Sequence, residues 1–227
     1  MGLSLSSSPV TVACQAVLFD MDGILISSIG SVERSWTKWC NLRGVDPEYA
    51  ISVIHGRRAI DSLRLISPDL DAEKELEILE DYECEDIDDI LVLAGVSNLL
   101  KKLPHDRWTI VTSATERLTR VRLKAAGLPV PDNFVHGETV AEGKPHPSPF
   151  LAGAALLGVA PDQCVVFEDS ESGVAAGKAA GCTVIATLFT HPAEDLQGAD
   201  YIVRDLTGMT PAAVSNGIEL QFQALNR

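Results

Sequence analysis

The sequence is poor in basic residues: 18 Lys and Arg stand against 32 Asp and Glu, a formal charge of −14 over 227 residues. That balance argues against a nucleic-acid binder, whose affinity comes largely from Lys and Arg at phosphates. A small anionic ligand stays open, because a metal ion and a few local cations can invert the field at one site. Zinc-type spacing is missing. The five cysteines (Cys14, Cys40, Cys84, Cys164, Cys182) form no C-x-x-C pair, and no histidine stands at ligand spacing. Their odd number reads as reduced thiols in a cytoplasm, most of them small core residues. No apolar run approaches the ~18 residues that a membrane helix requires. The longest, 150–160, is broken by Gly153 and Gly158 and reads as a buried helix. The N-terminus has no basic segment followed by an apolar one, so no secretion signal is expected. Residues 1–6 formally fit a myristoylation pattern, but 1–14 are expected to form a disordered leader. Internal repeats and low-complexity tracts are absent.

What is present is enough apolar material for a core. At 46% apolar and a mean hydropathy of +0.13, the chain is no disordered protein. Its length suits one large α/β domain, or a core with a small insert. Residues 15–20 form a short apolar run ending in an acid and a glycine, the pattern of a buried strand feeding a loop. Residues 108–112 and 164–167 repeat that design, and 183–187 and 201–203 are further strand candidates. Helical stretches at 116–126, 148–157 and 173–180 lie between them, closed by Gly127, Gly158 and Gly181. Strand alternating with helix predicts a parallel sheet with helices on both faces. Ligands of such sheets bind at the carboxyl ends of the strands.

Residues 29–93 break this rhythm with helical patterns and no convincing strand. Val32, Trp36, Trp39 and Cys40 fall on one helical face, and the tryptophans read as core. Ile60, Leu63, Leu65 and Ile66 suggest a second helix. A third carries the acidic run 69–89, in which 12 acids oppose Lys74 alone; this run is expected to be a solvent face. Small-residue joints at 27–31 and at Ala94-Gly95 flank the segment, so it reads as a movable helical cap.

The chemistry-bearing residues gather at the predicted strand ends. Asp20 and Asp22, in Asp-Met-Asp-Gly, can turn two carboxylates into one pocket, with Gly23 permitting the bend. Two such acids repel, and a divalent cation or a shared proton would hold them together. A calcium loop of the EF-hand type does not fit, since Ile24 takes the third ligand position and position 12 lacks Glu. Glu168-Asp169 ends another strand, where Asp169 could complete an oxygen-lined Mg²⁺ site with Asp20. Lys144 sits between a strand and a helix, its backbone fixed by Pro145 and Pro147. Ser113 ends the middle strand just before a helix, where its hydroxyl and nearby amides suit an anion.

In this order and spacing, Asp20-x-Asp22-Gly23, Ser113, Gly143-Lys144-Pro145 and Glu168-Asp169 resemble the four motifs of the haloacid dehalogenase-like hydrolases, over about residues 15–205. More narrowly, 54–58, 143–147 and 177–182 are similar to stretches of its sugar- and polyol-phosphate phosphatases. Ser27, Ile24 and Ala94 depart from their usual residues. The resemblance implies a Rossmann-like parallel core at 15–28 and 95–210 and a helical cap at 29–94. It also implies a Mg²⁺-dependent phosphatase of small phosphorylated metabolites working through an aspartyl-phosphate. Asp20 would be the nucleophile and Asp22 the general acid and base. Asp20, the Asp22 backbone carbonyl and Asp169 would hold Mg²⁺, with Glu168 in or near the shell. Lys144, Ser113 and the Ala114 amide would bind phosphate oxygens. His55, Gly56, Arg57 and Arg58 would reach the substrate from the cap, with one arginine pointing inward, and Glu33 is a weaker candidate.

A β-phosphoglucomutase-like phosphomutase shares every core motif and stands as the alternative, ahead of a non-catalytic sugar-phosphate-binding protein. A dehalogenase needs only the first aspartate, and Asp22 argues against it. A phosphonate hydrolase would need a cap lysine, and neither Lys38 nor Lys74 lies in a matching context. No membrane, nucleic-acid or obligate protein partner is expected.

Overall fold

The computed structural model describes residues 5–6 and 8–226. Strand β1 (Val10–Cys14) is followed by β2 (Ala16–Phe19) and the two-residue β3 (Ile26–Ser27). Helices α1 (Ile29–Arg43), α2 (Pro47–Ile54), α3 (Ala59–Ile66) and α4 (Ala72–Glu85) come next, then β4 (Leu91–Val92). From there α5 (Val96–Lys102), β5 (Trp108–Ile110), α6 (Glu116–Ala125), α7 (Ser148–Leu156), β6 (Cys164–Glu168), α8 (Glu171–Ala179), β7 (Thr183–Thr187) and β8 (Tyr201–Val203) alternate. A hairpin, β9 (Thr210–Val214) and β10 (Gly217–Phe222), follows.

Five strands form a parallel sheet in the order β5-β2-β6-β7-β8. Its strands are continuous apolar runs because both faces are covered. The period of two sorts β2 cleanly. Val17 and Phe19 join the cluster with Trp108, Leu99 and Leu123, whereas Ala16 and Leu18 meet Phe150, Ala154 and Val174 of α7 and α8. The Phe19 ring stacks on Phe167 at 5.1 Å and meets Trp108 edge-on at 6.0 Å. Register then places the chemistry. Phe19 lies beside Ile110 on one side and Phe167 on the other, so Asp20, the 111–114 turn and Glu168-Asp169 all leave the sheet at one edge.

Helices α1–α4 bury a separate apolar cluster around Trp36, Trp39, Leu63 and Leu79. The acidic run is only partly the solvent face expected of it. Ala72, Glu75, Leu79 and Glu83 form the buried face of α4. Glu75 is paired with Arg43 at 2.7 Å and accepts from the Trp39 indole at 2.8 Å. Burial of these carboxylates is tolerable because each has a cation partner.

Three other expectations need correction. Val10–Cys14, expected within a disordered leader, is a strand paired antiparallel with β10, because Val10, Val12 and Cys14 have an apolar partner strand to cover. The core does not end near 210: the β9–β10 hairpin completes a second sheet in the order β1-β10-β9. Its sequence signal was Asn216-Gly217 before alternating Ile218, Leu220 and Phe222. Finally, Leu91–Val92, within the stretch that showed no strand, pairs antiparallel with Ile26–Ser27; two residues are too few to show a period. Among the described residues no helix is long and apolar enough to cross a membrane. All five cysteines are free, and burial pushes the thiols of Cys14 and Cys182 up to about 12 and that of Cys164 to about 11, which makes them unreactive.

Candidate active site

Asp20 and Glu168-Asp169 emerge side by side from β2 and β6, and the loop before α7 brings Lys144 between them. Lys144 Nζ lies 2.6 Å from Asp20 Oδ1 and 2.6 Å from Glu168 Oε1. Burial opposes the lysine's charge, but Asp20 and Glu168 outweigh it and hold its pKa above the ordinary value. Glu168 Oε2 accepts from the amides of Asp169 and Ser170 and from the Ser170 hydroxyl. Glu168 thus orients Lys144 and the turn into α8. Asp169 faces the opening instead, its Oδ2 taking a 2.5 Å hydrogen bond from Thr190.

Asp20, Glu168 and Asp169 offer carboxylate oxygens within 4.8 Å of one another. Burial pushes the Asp20 carboxyl up to about 7, against the pull of Lys144. Burial and the nearby Glu168 and Asp20 charges raise Asp169 well above the usual carboxylate range. Crowded, dry carboxylates that resist ionisation are a fitting donor set for a hard divalent cation. Gly23, at φ +86°, packs so closely on Asp169 that a Cβ there would overlap its carboxylate.

Asp22 is half-buried. Its Oδ1 accepts from Ser28 Oγ at 2.5 Å and from Arg122 of α6 at 3.1 Å. Arg122 in turn donates to Glu83 of α4 at 3.1 Å. Burial raises the Glu83 pKa against the pull of Arg122, and it works against the charge of Arg122, which Asp22 and Glu83 hold on. Glu80 accepts from Thr115 and, at 3.0 Å, from Arg117.

The α1–α4 segment lies over this floor and leaves the cavity between them partly open. Ser113 Oγ donates to the Gly56 carbonyl at 3.2 Å, and the Ala114 amide donates to Thr112 Oγ1 at 3.1 Å. Gly56, at φ +74°, approaches the Ser170 and Ser172 hydroxyls so closely that a side chain would collide. His55 meets His191 edge-on at 6.4 Å; burial lowers its pKa, and His191 adds to the effect. The two arginines, in the loop between α2 and α3 rather than within a helix, divide. Arg58 is engaged with Asp61 and with the carbonyls of Gly137, Val140 and Ala141. The Arg57 amide donates to the Ile54 carbonyl at 3.2 Å, and its side chain has no hydrogen bond or ion pair among the described residues.

One cavity of about 150 Å³ is lined by all of these: Asp20, Asp22, Ser113, Ala114, Lys144 and Asp169 below, and His55, Gly56, Arg57 and Arg58 above. Glu168 stands behind Lys144, outside the lining, and Glu33 is exposed and does not reach it. Trp36 is buried as expected but also walls the cavity, whereas Trp39 is wholly core.

Sequence reasoning missed Arg122, Glu80, Glu83 and Thr190. Two signals were available. Arg122 shares the buried α6 face with Leu118, Thr119 and Leu123, and Glu83 extends the Ala72-Glu75-Leu79 stripe. A charge at an apolar position of a helix calls for a partner.

The model of the haloacid dehalogenase-like hydrolases matches residues 14–181. The chain is 41% identical over 209 residues to hexitol phosphatase A of Escherichia coli, covering 90% of this chain and 97% of that protein. It is 34% identical over 231 residues to 2-deoxyglucose-6-phosphate phosphatase 1 of Saccharomyces cerevisiae, covering 90% and 93%. Among solved structures, a hydrolase from Pseudomonas syringae superposes with a TM-score of 0.75 at 24% identity, covering 85% and 94%.

Proposed function

Since the chain belongs to the haloacid dehalogenase-like hydrolases, we propose that it hydrolyses small sugar or polyol phosphate monoesters through an aspartyl-phosphate on Asp20. The observation that carries this reading is the buried Asp20–Lys144–Glu168 array beside Asp169 and Asp22, at the floor of a cavity. The Asp20 carboxylate attacks phosphorus and the ester oxygen leaves. Asp22, two residues on and steadied by Ser28 and Arg122, supplies that oxygen with a proton and later takes one from the water that frees the phosphate. Lys144 has two of its three N–H bonds committed to carboxylates, so one remains for a phosphate oxygen. Ser113 turns its hydroxyl from Gly56 to the phosphate, joined by the Ala114 amide. Arg57, unpartnered at the cavity wall, is the cap arginine available to the substrate.

Asp20, the Asp22 carbonyl and Asp169, with Glu168 beside them, would hold Mg²⁺, which when bound offsets repulsion between carboxylates and phosphate. Residues 29–94 act as a cap that opens for entry over the core at 15–28 and 95–210, and the enzyme works in the cytoplasm. A phosphate-release screen over sugar, polyol and nucleotide monophosphates with Mg²⁺ tests the reading. Asp20→Asn is expected to lower turnover at least about 10³-fold; a variant that keeps its activity removes Asp20 as nucleophile. Isomerisation of β-glucose-1-phosphate without free phosphate, in the presence of a bisphosphate primer, would make the protein a mutase.

A further inference from the structure

Beyond the phosphate end, the cavity runs on between α1, α4 and α6. There its wall is apolar at Trp36, Leu76 and Leu118 and polar at Glu80, Glu83 and Arg122. The polar group is deeply buried: the Arg122 and Glu83 side chains are 3% and 6% exposed. It is also incompletely satisfied. Arg122 uses its two terminal nitrogens on Asp22 and Glu83, and its Nε–H is buried with no partner among the described residues. Glu83 takes its hydrogen bond at Oε1 and has no donor at Oε2 among those residues. A buried guanidinium N–H without an acceptor costs free energy unless something fills the place.

We propose that Glu83 and Arg122, with Glu80 beside them, read the hydroxyl groups of the substrate's carbon chain and exclude substrates that carry a carboxylate there. The inference rests on the phosphatase reading above. A polyol hydroxyl both donates and accepts, so it can give its proton to Glu83 and take one from Arg122 Nε. Trp36, Leu76 and Leu118 cover the carbon atoms between. An alkyl chain would leave both polar groups bare, and a site built around hydroxyl bonds rejects such analogues strongly. A carboxylate would face Glu80, Glu83 and Asp22, whose two arginine partners, Arg117 and Arg122, are already engaged by them, and like charges there act as a repulsive filter.

The test compares sorbitol 6-phosphate, propyl phosphate and phosphoglycolate. The wild type is expected to favour the hexitol ester in kcat/KM by at least about tenfold over each. Glu83→Gln should lower the kcat/KM preference for sorbitol 6-phosphate over propyl phosphate about tenfold, and improve phosphoglycolate relative to propyl phosphate. Propyl phosphate serves as the internal control, since a folding defect lowers all three together. If Glu83→Gln does not fold, Glu80→Gln, which spares the Arg122 pair, is held to the same comparison. Equal use of the three esters by the wild type, or equal loss on all three in a folded variant, would overturn the proposal. If no ester is turned over at all, the phosphatase reading falls separately. Calorimetric binding to Asp20→Asn then decides the inference: tighter sorbitol 6-phosphate supports it, and equal affinity for propyl phosphate ends it.

Discussion

Lys144 is the single cation between two buried carboxylates, and the residues around it show why the site needs a second. Asp20 keeps its proton up to about 7, against an ordinary value of 3.8. The folded chain therefore binds more protons than the unfolded chain between about pH 4 and 7, and the metal-free fold loses stability as pH rises through that window. The same proton competes with a cation. Mg²⁺ binding followed by calorimetry is expected to tighten by at least about tenfold from pH 6 to pH 8. A flat profile would show that Asp20 is not a ligand. At this scale the sequence was most informative, because Asp20, Asp22, Lys144 and Asp169 each occupy a short local pattern. Arg122 and Glu83 do not: they stand 100 and 39 residues from their partners, and only the packing of α4 against α6 pairs them.

The helices and strands carry the site by register and by side-chain stripe. Strands β7 and β8 fall where the apolar runs placed them, and α6 and α7 begin at their anticipated residues. Buried parallel strands flanked by glycine-stopped helices leave little ambiguity. Elements that depend on a distant partner were not legible: β1 and the two-residue β3 and β4 gain their hydrogen bonds only in the folded chain. At the start of α3, Arg58 ties the α1–α4 segment to the carbonyls of Gly137, Val140 and Ala141. Charge-assisted bonds of this kind contribute about 1.5–3 kcal/mol each. Arg58→Ala should favour the open form and raise KM for the preferred ester about tenfold, with a smaller change in kcat. An unaltered KM would leave Arg58 without a part in closure.

The whole molecule joins three bodies: the parallel sheet with its helices, the α1–α4 cluster, and the β1-β10-β9 sheet. The third body bears on stability rather than chemistry. Val10, Val12 and Cys14 of β1 pack on the core, and β1 covers one edge of β10. Deleting residues 1–14 should lower the thermal midpoint by at least about 5 °C, each lost kcal/mol being worth about 2–4 °C in a chain this long. Turnover per folded molecule should not change. An unshifted midpoint would show that β1 contributes nothing to the fold. The charge of −14 also belongs to this scale. Part of the acidic run on α4 is paired with Arg43, Arg117 and Arg122; each pair sets one base against one acid, so the unpaired remainder still carries the whole net charge of −14.

The pairing of Ile26 with Val92 and of Ser27 with Leu91 places the departure and the return of the chain side by side. More than sixty residues therefore leave the parallel-sheet core through a doorway two strands wide. A short turn could close that doorway, and a different set of helices could be grafted onto it. If the proposed division of labour holds, replacing residues 28–90 by a short turn between the two strands would leave the proposed Asp20–Lys144–Asp169 floor in place while removing the Trp36 and Glu83 wall.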